Sequence, residues 1–135
     1  MNPQEKFELV LLDGTFQNRL NRTHFIGVPF QGRAIILSDG RILGQTVDSF
    51  GPANIEGTIT PKEEIIFTKK YDPNTPWYSY GYPHLRYKLT RTSRLPERYE
   101  GEWQAMDKKG EIIATNQAEM IIIRPLLPTN DPQLS

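Results

Sequence analysis

Residues 40–71, GRILGQTVDSFGPANIEGTITPKEEIIFTKKY, carry the pattern that decides the fold. Side chains here alternate with a period of two, the spacing that sends neighbours to opposite faces of a pleated strand. Ile42, Gly44, Thr46 and Asp48 share one face, and Leu43, Gln45 and Val47 the other. Ile55, Gly57 and Ile59 then oppose Asn54, Glu56 and Thr58, and Ile65, Phe67 and Tyr71 oppose Ile66, Thr68 and Lys70. Three strands follow, joined by short links. Asp39-Gly40 is a hairpin signal, and Phe50-Gly51-Pro52 and Pro61-Lys62-Glu63 are turns. Glycines at 44, 51, 57, 81 and 101 recur in or beside strands, where they mark bends and close backbone approach, as a sheet curling into a small barrel requires.

Outward from this stretch the same period continues. Towards the N-terminus, Asn2-Pro3 resembles a helix start, yet Phe7, Leu9 and Leu11 alternate with Glu8, Val10 and Leu12, so residues 3–12 are open to a short helix or a strand. Asp13-Gly14 reads as the end of that segment. Pro29 marks an edge, a bulge or a position outside the ladder, ahead of a strand over 33–37. Towards the C-terminus, strands are expected at 77–82, 85–89, 99–105, 111–115 and 120–123, the last two continuous if Asn116 permits. Strands at spacings of about ten residues with hairpin links argue an all-β, antiparallel up-and-down barrel of about eight strands. Residues 1–125 make one such domain, and the proline-containing segment 126–135 reads as a flexible tail.

Composition narrows the functions. The 135 residues suffice for a single core, and 10 Gly with 11 Pro favour turns and strands over helices. A formal net charge of zero supplies no field for nucleic acid or anionic membrane, so neither partner is expected. With no cysteine there is no disulfide, no thiolate nucleophile and no cysteine-bearing zinc site. His24 and His84 lie too far apart for metal spacing, and no metal or other cofactor is expected. The apolar run after the N-terminus is short and acid-flanked, and none approaches the ~18 residues of a membrane span, which reads as a cytoplasmic protein.

The series Gly40-x-Ile42-x-Gly44-x3-Asp48-x2-Gly51-x-Ala53-x-Ile55-x-Gly57, then Ile65-x-Phe67-x-Lys69-x-Tyr71, Tyr80-Gly81 and Tyr99-x-Gly101-x-Trp103, resembles the avidin-like barrels of the wider calycin group. It spans about half the chain. The resemblance implies an eight-stranded barrel with a pocket at its open end. The Gly-x-Trp-x-Asn strand of the biotin binders and the Gly-x-Trp opening of the lipocalins are absent, so biotin binding is not implied.

Candidate ligand-binding residues are Asp48, Phe67, Tyr71, Tyr80, His84, Tyr99 and Trp103. The aromatic residues either enclose an apolar ligand or fill the core. Asp48 either anchors a ligand from inside or caps the Phe50-Gly51 turn, and His84 is either a proton-transfer group or a solvated loop residue. Arg86, Lys88, Arg91, Arg94 and Arg98 read as a solvent face balanced by Glu100 and Glu102. The expected function is non-enzymatic binding of a small, mostly apolar ligand. The alternatives are a small isomerase or cyclase working through Asp48, His84 and a tyrosine, and a homo-oligomerising domain with a filled core.

Overall fold

Eight strands close on themselves in the computed structural model, which describes residues 6–19, 25–74, 84–107 and 109–125. They are β1 (Phe7–Arg19), β2 (Phe25–Leu37), β3 (Arg41–Asp48), β4 (Gly51–Ile59), β5 (Glu64–Tyr71), β6 (His84–Arg94), β7 (Glu97–Met106) and β8 (Ile112–Ile123). Each pairs antiparallel with the next, and β1 returns to β8 through Leu11–Phe16 against Ala118–Ile123. This is the all-β, up-and-down barrel expected from the alternation, and its form agrees with calycin-like folds in general.

The pleat decides what lies inside. Ile42, Thr46, Ile55, Ile65, Phe67, Tyr71, Leu85, Tyr87, Leu89, Tyr99 and Trp103 are buried, while their strand neighbours face out. On β1 the inward set is Val10, Leu12 and Phe16, leaving Phe7, Leu9 and Leu11 exposed. Burial of such side chains, at about 1.5–3 kcal/mol each, is the main force holding the barrel closed.

Several local expectations change. From Phe7 onward the N-terminal segment is strand, paired from Phe7 opposite Leu37 to Arg19 opposite Phe25. Asp13-Gly14 does not end it. Gly14 sits where a Cβ would collide with the Phe30 ring and the Glu119 carbonyl, so this glycine makes room for a neighbour and turns nothing. The Asp39-Gly40 hairpin is as expected, with Gly40 at φ 94°, and Asp39 accepts from the Arg41 backbone N–H at 3.1 Å. Pro29 lies opposite Thr15, beyond the Gln31–Ile36 segment that pairs with β3, so its missing N–H costs that side no ladder bond. β8 runs unbroken through Asn116. The strand expected at 77–82, with Tyr80, and the tail 126–135 lie outside the described residues. Among those described, no helix is long and apolar enough to cross a membrane.

Candidate functional site

β3 and β5 deliver charge into the barrel. On β5 the inward positions are Ile65, Phe67, Lys69 and Tyr71, so the pleat that buries the aromatic residues also buries a lysine. Asp48 ends β3 at the same mouth. Its Oδ1 accepts the Phe50 backbone N–H at 2.8 Å, which caps the β3–β4 turn. Its Oδ2 accepts from Lys69 Nζ at 2.7 Å and from the Tyr71 hydroxyl at 2.6 Å. The two readings of Asp48, turn cap and inward anchor, therefore describe its two oxygens. The Lys69 and Asp48 side chains are 1% and 0% exposed.

Around the ammonium stands an aromatic box. Lys69 Nζ lies 4.7 Å from the ring centres of Phe16 and Phe30, 5.1 Å from Tyr71 and 5.8 Å from Tyr87. Phe67 stacks on Tyr87 at 4.5 Å, and Trp103 meets Phe16 edge-on at 6.0 Å while its indole N–H donates to the Gln17 carbonyl at 2.8 Å. Phe50, in the turn, reaches over Phe16 and Tyr71 at 6.3 and 6.5 Å, at the mouth of the box.

The balance of forces is visible in the titration of these groups. Burial pulls the Lys69 ammonium below its ordinary value, and the Asp48 carboxylate opposes it. Burial pushes the Tyr71 phenol far up, helped by its hydrogen bond to Asp48, and burial does the same to Tyr87, with the Asp48 charge adding to it. Taking two ions out of water costs several kcal/mol each, whereas a desolvated cation on a ring recovers about 2 kcal/mol. The carboxylate, the phenol and the rings together are what keep Lys69 inside.

Polar capacity is left over inside the barrel. Thr46 Oγ1 and Tyr87 Oη are buried and have no hydrogen-bond partner among the described residues. Lys69 has one hydrogen-bond acceptor there, Asp48. No group of three or more His, Asp and Glu side chains is placed to hold a metal, again among the described residues.

Of the residues singled out from the sequence, Asp48, Phe67, Tyr71 and Trp103 meet at or beside this box. Tyr99 is buried but near the opposite end, where its hydroxyl donates to Glu97 Oε2 at 2.7 Å. His84 begins β6 on the outer wall, opposite Lys70, beside a groove of about 470 Å³ that Val47, Asn54 and Pro73 also line. Asp48 and His84 therefore stand on opposite sides of the sheet. Tyr80 is outside the described residues. In the basic patch, Lys88 faces Glu102 across β7 and lies 4.0 Å from Glu64, and Arg91 binds Glu63 at 3.1 Å.

Lys69 is the residue that sequence reasoning missed. Its position between Phe67 and Tyr71 on one strand face is the available signal, although a lysine is almost never fully buried without a partner. Among the described residues, four of the grooves open on the outer surface, and none of these four is lined by Phe16, Phe30, Lys69 or Tyr87. Compared with protein-family models, with curated proteins and with solved structures, the chain finds no match, so the reading of this site rests on its own geometry.

Proposed function

We propose that this barrel binds a small, mostly apolar molecule without transforming it, at the mouth where Phe50 covers the Asp48–Lys69–Tyr71 cluster. The observation that carries this reading is the desolvated ion pair inside an aromatic box. Replacing such a pair by apolar side chains of similar volume is often neutral or stabilising, so a barrel core needs no lysine there for stability. Titratable groups moved from their ordinary values, here Lys69, Tyr71 and Tyr87, gathered at one end of an apolar interior, are a common mark of a binding site. The ligand enters by displacing the Phe50 ring, whose turn lies at the rim. The same reading makes the barrel avidin-like within the calycin group, supported by the glycine and aromatic series from Gly40 to Trp103 and by the eight-strand closure.

Native mass spectrometry of freshly purified protein tests it. A retained mass of a few hundred daltons, lost on unfolding and reduced in Asp48→Asn, is the expected result, as the order of magnitude for a drug-sized ligand. A bare polypeptide mass from every preparation counts against it.

A second reading, homo-oligomerisation, is favoured by one feature. An apolar band crosses the outer face of β8, β1, β2 and β3, where Leu11 pairs with Ile123, Leu9 with Ile35 and Ile35 with Leu43. Phe7 is 55% exposed, and Leu9 and Leu11 are 46% exposed. Contiguous apolar surface of this kind is where protein partners dock.

A further inference from the structure

We infer that a second copy of this chain docks on the open edge of β8, Ile112–Gln117, where two such edges pair antiparallel across a two-fold axis. The inference concerns the outer wall and does not depend on a ligand in the barrel.

The seam between β1 and β8 is shorter than either strand. Its ladder runs from Leu11 opposite Ile123 to Phe16 opposite Ala118 and stops there, although β8 begins at Ile112. Beyond Phe16, β1 goes on to Arg19 paired with β2 alone. Two hydrogen bonds mark the parting. The Gln17 carbonyl, the first on β1 past the ladder, accepts the Trp103 indole N–H at 2.8 Å, so a side chain from β7 stands in for the β8 backbone. On the other branch of the fork, the Gln117 N–H donates to the Asn116 side-chain oxygen at 2.8 Å, a local substitute for the strand that has parted from it. A groove of about 450 Å³ opens at this fork, with Thr15 and Gln17 on one bank and Gln117 and Glu119 on the other.

The freed edge is suited to pairing. The Glu119 carbonyl faces β1 over Gly14. By the two-residue period of a ladder, the backbone groups of Gln117 and Thr115 face the same way, and there they have no ladder partner among the described residues. Sheet edges are ordinarily guarded by charge or proline, and Ile-Ile-Ala-Thr-Asn-Gln carries neither. A bulge against Met106 leaves both Ile112 and Ile113 exposed, by 56% and 48%.

Charge selects the occupant. The edge is bounded by Lys109 in the hairpin before it and by Glu119 after it, both exposed. Glu119 stands opposite Glu100 of β7, and like charges so placed destabilise the pair until a cation comes near. Antiparallel pairing centred on Ala114 supplies that cation, because Lys109 of each copy comes beside Glu119 of the other while Glu111 meets the neutral Gln117. Within one copy the strand between Lys109 and Glu119 spans about 30 Å at ~3.3 Å per residue, well past a screening length of about 8 Å. Coupling between the two residues therefore has to come from another copy.

Sedimentation of the full chain tests this. The parent should dimerise at micromolar concentration, and amide hydrogen exchange at Thr115 and Gln117 should slow as concentration rises. Thr115→Pro removes a donor from the open side and none from the β7 ladder, and should weaken the dimer about tenfold or more. Lys109→Glu and Glu119→Lys should each weaken it about tenfold, since two symmetric pairs turn repulsive, and the two together should restore it to within about threefold of the parent. A parent that stays monomeric with both amides exchanging freely overturns the inference. So does a monomer whose amides are protected, since the edge is then held within its own chain. A dimer indifferent to all these substitutions yet lost in Leu9→Glu with Leu43→Glu places the contact on the apolar band and overturns it too. If Thr115→Pro does not fold, the charge exchange decides, and a double variant that fails to recover the loss of the single ones removes the pairing.

Discussion

Lys69 is an ion that the surrounding side chains must keep solvated. Removing it alone strands Asp48 in a dry interior, and uncompensated buried charges cost about 3–5 kcal/mol. Lys69→Met should therefore lose stability of that order in urea unfolding. Lys69→Met combined with Asp48→Asn should recover most of the loss, since an uncharged amide can still accept the Phe50 N–H and face Tyr71. Equal stability of the single variant and the parent would mean that Lys69 does not sit in the box. Asp48→Asn alone leaves Lys69 without its counter-charge, with the four rings as its remaining support.

Among the strands, the ends of β1, β7 and β8 are lashed together by one guanidinium. Arg124, just past β8, donates to Glu97 at 2.8 and 3.1 Å and also binds Glu8 on β1. Burial alone would raise the Glu97 carboxyl, but the hydrogen bonds from Arg124 and Tyr99 outweigh it and hold the group below its ordinary value near 4.5. A carboxyl depressed in the folded chain stabilises the fold above its unfolded value and loses that contribution as pH falls through the folded one. Melting temperature should thus decline more steeply below pH 4.5 in the parent than in Arg124→Gln, and parallel profiles would remove Glu97 as the cause. How much of these strands was legible depended on whether the signal was local. Alternation alone placed β3, β4 and β5, because each has one apolar and one mixed face bounded by turn residues. The extent of β1 was not legible, since Asp13-Gly14 reads as a turn until Phe30 is known to need the space above Gly14. Lys69 escaped for a related reason. Its burial depends on Phe16, Phe30 and Tyr87, drawn from β1, β2 and β6, and no window on β5 contains them.

For the molecule as a whole, closure joins β1 to β8 at the seam yet leaves an apolar exterior on one side. Phe7, Leu9, Leu11, Leu43 and Ile123 are all exposed across adjacent strands. If two copies pair through this band, the parent sediments as a dimer, and Leu9→Glu with Leu43→Glu as a folded monomer; a monomeric parent at micromolar concentration sets the oligomer reading aside. Such charged substitutions point away from the box, so binding at the Phe50 mouth should persist in them. Asp48 and His84, paired in the enzyme alternative, face different compartments across the wall, and only the folded topology could reveal that.

The separations along the chain also set an order of events. Asp48 and Lys69 are 21 positions apart, within one three-stranded meander, whereas Trp103 reaches Gln17 over 86 positions and Arg124 reaches Glu8 over 116. Contacts between distant positions form slowly, because the intervening chain must first surrender its freedom. The acid and the base can thus meet early in a wet, half-built sheet, and their insulation from water arrives only when the terminal strands zip together. Whatever this interior holds, it holds on condition that the last seam stays shut.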